Sequence, residues 1–167
     1  IIVLYTYQDI RIRNEEIRLF QTANIVADTY NRNKEDIVLI NTMVKSYGKQ
    51  SNSRILVLDF EKEVIVDSFN IYVGDTLDNK EIRSSLQGNT MSGVYTLEGK
   101  NVLQLSVPII SSTGNEKRID GAVLISSLLD EAFSDVRNLQ NTLLKVSILS
   151  LTIALFFTLV AANSLTK

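Results

Sequence analysis

The chain has 167 residues, a net charge of -2, no cysteine, no histidine and a single proline, Pro108. That length allows one domain with short attachments, and an acidic balance without a basic patch argues against nucleic-acid binding. Without cysteine or histidine there is no disulfide framework, no thiolate metal site and none of the commonest general base.

Residues 1–7 (IIVLYTY) are apolar, then aromatic, and too few to cross a membrane. Tyr5 and Tyr7, followed by charge, fit the interfacial end of a membrane helix that begins upstream. A short buried strand is the competing reading. From Gln8 to Asn31 the pattern is helical: Ile10, Ile17, Asn24 and Asn31 recur at seven, and Ile12, Leu19 and Val26 form a second stripe. The broad apolar face suits a sheet on one side and a partner helix on the other. Asn33 reads as the cap of a second helix, with Ile37, Ile40, Val44 and Tyr47 turned inward and Gly48 ending it.

The period then shortens. Arg54–Asp59 and Glu63–Ser68 are strands around a turn at Glu61-Lys62. Phe69–Leu77 is irregular, with Gly74 at a turn. Asp78 to Glu81 has capping-box spacing and starts a short helix that reaches Gln87, with Gly88 after it. Val94–Glu98 and Lys100–Ile110 are strands joined at Glu98-Gly99, Ser111–Arg118 is a hairpin loop, and Ala122–Ser126 is the last strand. Ser127 reads as the cap of an exit helix. Its residues Leu129, Ala132, Val136, Leu139, Leu143 and Val146 alternate at three and four, a coiled-coil seam or a stripe against the domain's own sheet. Val146 to Leu165 carries no formal charge and lies between Lys145 and Lys167. At the helical rise it spans roughly 30 Å, so it is expected to be a transmembrane helix continuous with the exit helix.

Two helices, two strands, a short helix, three strands and a long exit helix make an α+β domain with a five-stranded antiparallel sheet. The order resembles the extracytoplasmic PAS-like (single Cache) sensor domain of Gram-positive-type bacterial sensor histidine kinases. Val57-Leu58-Asp59 with Val64 to Ser68 is similar to that family's first hairpin, though the usual turn glycine is missing from Glu61-Lys62-Glu63. Val73-Gly74, Leu86-Gln87-Gly88, Val102 to Ile110 with Pro108, and Asp120 to Leu124 are similar to its later steps. Asn163 to Lys167 resembles the start of a HAMP linker. The resemblance implies a membrane-helix end at 1–7, a sensor domain at 8–130, an exit helix at 127–145, a second membrane helix at 146–165 and HAMP from 163.

No catalytic constellation is present, and enzymatic activity within these residues is not expected. Asp75, Asp78 and Glu81 suggest a cation site, but capping accounts for Asp78 and Glu81 and EF-hand spacing is missing, so neither metal nor cofactor is expected. The resemblance places a ligand pocket between the sheet and residues 69–86. Its candidates are Tyr72, Arg83, Tyr95, Gln104 and Ser106, with Arg83 suited to an anion and the tyrosines to walls. Ile10, Ile17, Leu129, Val136, Leu139 and Leu143 are the expected dimer and signalling positions. The implied partners are a second copy, the lipid bilayer, a small-molecule or protein stimulus outside the cell, and a response regulator reached through an ATP-dependent kinase beyond Lys167. A chemoreceptor or cyclic-dinucleotide enzyme with the same input module is the alternative, as is a membrane-anchored envelope scaffold without signalling.

Overall fold

The computed structural model describes residues 2–113, 116–129 and 141–154. The first helix, α1 (Ile2–Arg32), is a single 31-residue rod. No glycine or proline occurs before Gly48, so nothing in the sequence interrupts it. The strand reading of residues 1–7 therefore fails. Leu19, Ala23, Val26 and Ala27 bury one face of α1, while Ile10, Ile17, Phe20 and Ile25 stand exposed on the rest of it.

The second helix, α2 (Ile37–Gln50), is capped by Asp36, whose carboxylate accepts the Leu39 N–H at 2.9 Å. The expected cap, Asn33, instead finishes α1, its side chain donating to the Thr29 carbonyl at 2.9 Å. Ile40 and Val44 are buried and Tyr47 packs beside them, but Ile37 is exposed. Gly48 does not end the helix. It sits inside the last turn, where an added Cβ would lie 2.9 Å from the Ser68 Cβ and 3.0 Å from the Ser53 carbonyl oxygen. It is glycine because the first hairpin passes too close for a side chain.

Five strands follow: β1 (Ser53–Asp59), β2 (Val64–Asp67), β3 (Met91–Leu97), β4 (Lys100–Thr113) and β5 (Glu116–Leu128). They form one antiparallel sheet in the order β2-β1-β5-β4-β3. Val57, Val123 and Val107 lie abreast across its centre, as do Ile55, Ile125 and Leu105. These rows meet α1 and α2 and make the main core. The period of two sends Leu56, Leu58, Val64 and Leu124 to the opposite face, where Ile82 of α3 (Lys80–Leu86) covers them.

Two expectations at the end of the sheet are corrected. β4 and β5 remain paired as far as Thr113 and Glu116, so most of the expected loop Ser111–Arg118 is ladder. Its polar residues sit on a hairpin whose backbone groups satisfy one another, which composition alone reads as a loop. β5 also runs past Ser126 to Leu128, and the Leu129 N–H donates to the Asn101 carbonyl at 2.8 Å. Ser127 is thus a strand residue rather than a helix cap. Residues 141–154 form a further helix, α4, with exposed side chains, Leu143 and Val146 among them. Among the described residues no helix is long and apolar enough to cross a membrane. Val136, Leu139 and the part of the expected span beyond residue 154 lie outside the described residues, as does the expected HAMP start.

Candidate functional site

The sheet face under α3 holds the densest set of buried polar groups. Asn79 caps α3, its side-chain oxygen accepting the Ile82 N–H at 2.8 Å. The capping box expected from Asp78 and Glu81 is therefore one residue out of register. Glu81 is freed from capping and turned inward, and it is fully buried. Its Oε1 accepts the Tyr95 hydroxyl. Tyr95 can lie against it because residue 93 is glycine: a Cβ there would stand 2.9 Å from Glu81 Oε1 and 3.0 Å from the Tyr95 ring. Across the ladder, Gln104 pairs with Gly93 and approaches Asn79 at 3.5 Å. Ser106, two residues along the same face, and Ser85, one turn beyond Glu81, are both fully buried. Glu81 Oε2, Ser85 Oγ and Ser106 Oγ have no hydrogen-bond partner among the described residues.

Lys80 stands at the rim, its ammonium 5.2 Å from the Tyr95 ring centre. Its hydrogen bond with the Tyr95 hydroxyl raises the lysine above its ordinary pKa. Burial, then Glu81, raise the phenol, against a downward pull from Lys80.

Arg54 and Asp67 form a second corner on the same face. Asp67 is fully buried and receives Arg54 at 2.6 Å, together with the N–H groups of Phe69, Ile71 and Tyr72 at 2.8–3.0 Å. Burial works to raise its pKa, but the guanidinium and the three amides outweigh it and hold the carboxyl at about 2. The Arg54 guanidinium lies 4.0 Å from the Tyr72 ring centre and 5.3 Å from that of Phe69. The corner opens on a groove of about 650 Å³ whose lining includes Arg54, Phe69, Val102 and Leu128.

A third cluster ties α1 to the end of β5. Glu15 accepts the Ser127 hydroxyl at 2.7 Å and the Arg18 guanidinium, which also reaches the Ser51 carbonyl at 2.7 Å. Burial would raise the Glu15 pKa, but Arg18 and Ser127 hold it below the usual carboxylate value. The walls of a polar cavity of about 430 Å³ here include Glu15, Arg18, Ser127 and Leu129.

Of the five ligand candidates, Tyr95, Gln104 and Ser106 share the layer under α3. Tyr72 belongs to the Arg54 corner. Arg83 does not enter the layer: it is exposed and pairs with Asp78 at 3.1 Å, beside Lys62 at 3.0 Å. Sequence reasoning misses Ser85 and sets Glu81 aside as a capping residue. Their i, i+4 spacing beside Ile82 is the available signal, masked by the apparent capping box. Among the described residues there is no cluster of three histidine, cysteine or acidic side chains able to hold a metal.

No family model matches the chain, and no curated protein matches it. Solved structures do share its fold. The sensor domain of the V. cholerae histidine kinase DctB superposes with a TM-score of 0.54 at 12% identity, over 75% of this chain and 55% of that one. The E. coli DcuS sensor domain gives 0.55 at 17% identity, over 79% of this chain and 98% of that one. The ligand-binding domain of the Campylobacter jejuni chemoreceptor Tlp3, in complex with 4-methylisoleucine, gives 0.56 at 11%, over 81% and 58%. The chain thus spans little more than half of the DctB and Tlp3 domains and nearly all of the DcuS domain. Its fold is the one these sensor and ligand-binding domains share.

Proposed function

We propose that this chain is the extracytoplasmic signal-input domain of a dimeric, membrane-anchored sensor histidine kinase. One observation carries the reading: the Glu15–Arg18–Ser127–Ser51 cluster joins the helix entering the domain to the strand leaving it. A stimulus that shifts the sheet relative to α1 then acts on both ends of the chain together. Such a domain must bias a two-state rod, and a stimulus works only through unequal affinity for the two states. The likeness to sensor and ligand-binding domains of known receptors supports a small molecule as the stimulus, with the layer under α3 as its seat. Ile10 and Ile17, both about half exposed, supply an apolar stripe for a second copy along α1. The span 146–165 holds the domain against the bilayer from outside and passes the shift inward to a kinase and its response regulator. The domain itself is non-catalytic.

A chemoreceptor is the second reading, supported by the likeness to Tlp3. The output module downstream of Lys167 separates the two: a HAMP linker with a histidine-bearing helix and an ATP-binding domain is the expected outcome. A coiled-coil signalling tail would favour the chemoreceptor. Leu129, expected as a dimer position, is instead buried in the main core, so in membranes a single-cysteine scan from Ala132 to Val146 is expected to cross-link with a seven-residue period. A scan without period would remove the dimeric rod.

A further inference from the structure

The layer under α3 combines an internal carboxylate with two internal hydroxyls whose oxygens lack partners. Glu81, Ser85 and Ser106 are each fully buried, and Glu81 Oε2, Ser85 Oγ and Ser106 Oγ bond to nothing among the described residues. A buried charge or hydroxyl without a partner is costly, and here three of them fall in one helix–sheet layer. They share that layer by construction. Residues 81 and 85 are one turn apart on α3, and Ser106 lies on the face of β4 that α3 covers, two residues from the partner of Gly93.

We infer that this layer receives a primary ammonium group, whose three N–H donors would meet Glu81 Oε2, Ser85 Oγ and Ser106 Oγ. This deepens the sensing role proposed above and rests on it. The sign of the charge follows from the residues. An anionic ligand would face the buried Glu81 carboxylate, and the arginine best placed by sequence, Arg83, is turned away to Asp78. Lys80 is exposed at the rim and engaged with Tyr95. A divalent metal ion is the poorer occupant, because one carboxylate and two hydroxyls fall short of the six to eight oxygens calcium takes. Tyr95 holds Oε1, which leaves Oε2 for the ligand, and the bare Cα of Gly93 makes room for that arrangement.

The test uses the full 167-residue chain in lipid nanodiscs, with calorimetric titration and thermal melting against ethanolamine, putrescine, L-alanine and succinate. At least one of the three amines is expected to bind and to raise the melting temperature by about 5 °C near saturation. Binding of ethanolamine or putrescine alone identifies a simple amine, and binding of L-alanine an amino acid. Glu81→Gln is expected to weaken binding by more than tenfold, Ser106→Ala by less, and Arg83→Ala not at all. Should Glu81→Gln fail to fold, Ser85→Ala with Ser106→Ala must show the loss. Binding of succinate without any amine, or amine binding indifferent to these substitutions, overturns the ammonium site and leaves the sensor role standing. Binding of no probe overturns it as well, and the cross-linking scan then judges the sensor role separately.

Discussion

Asp67 organises more of the chain than its size suggests. Its two oxygens hold Arg54 and three loop amides, and through Arg54 they set the stacking of Tyr72 and Phe69. Asp67→Asn keeps the shape but strands the guanidinium, and is expected to cost about 3 kcal/mol in urea unfolding. Its pKa is depressed in the fold, so its contribution is complete above the ordinary value of 3.8 and disappears as the pH falls toward about 2. Asp120, held at about 2 against the pull of burial by Lys34 and Arg118, behaves likewise. Acid titration of the melting temperature should therefore show a steep fall in that window, flattened in Asp67→Asn. Gly48 gives an opposite kind of test. Gly→Ala inside a helix usually stabilises by about 1 kcal/mol, whereas Gly48→Ala is expected to destabilise by about 1–3 kcal/mol because Ser68 and the Ser53 carbonyl must move.

Among elements, α1 shows how far a sequence can be read. Its two stripes are visible as spacing, and the structure buries Leu19 and Val26 while leaving Ile10 and Ile17 outside. Single cysteines at Ile10 and Ile17 are expected to cross-link between copies, and one at Leu19 is not. Equal cross-linking at all three would remove α1 from the dimer interface. The centres of the strands are equally legible, because apolar runs of branched residues leave few alternatives, but the polar paired ends of β4 and β5 are not. The short helix is legible too, but its register is not. Asp78, Asn79 and Glu81 all satisfy one capping rule or another, and only the packing of Ile82 onto Leu56, Leu58 and Leu124 decides which face turns inward. That one-residue slip hides Glu81 and Ser85, whereas Arg83, placed in the pocket by the resemblance, turns outward to Asp78. Likewise Ser127 has the composition of a cap, but ladder partners Ser53 and Leu103 keep it in the strand, and its hydroxyl goes to Glu15, 112 residues away.

At the scale of the whole molecule, the proposed signalling role depends on the entry helix and the exit strand moving together. Arg18→Ala removes the contacts to Glu15 and Ser51 at a half-buried position while leaving the main core untouched. In a chain fused to a kinase output, this variant is expected to keep a wild-type circular dichroism spectrum and lose most of its stimulus-dependent change in phosphorylation. An unaltered response would show that the coupling runs elsewhere.

The bond between the Leu129 amide and the Asn101 carbonyl closes the sheet at its exit. Asn101 belongs to the same tight hairpin as Tyr95, since it pairs with Thr96 across the turn at Glu98 and Gly99. An occupant that draws Tyr95 toward α3 therefore tugs on the acceptor of the last ladder bond. The amide proton of Leu129 becomes a natural gauge of occupancy. Its rate of exchange with deuterated solvent should change when the layer under α3 fills, although the two share no atom.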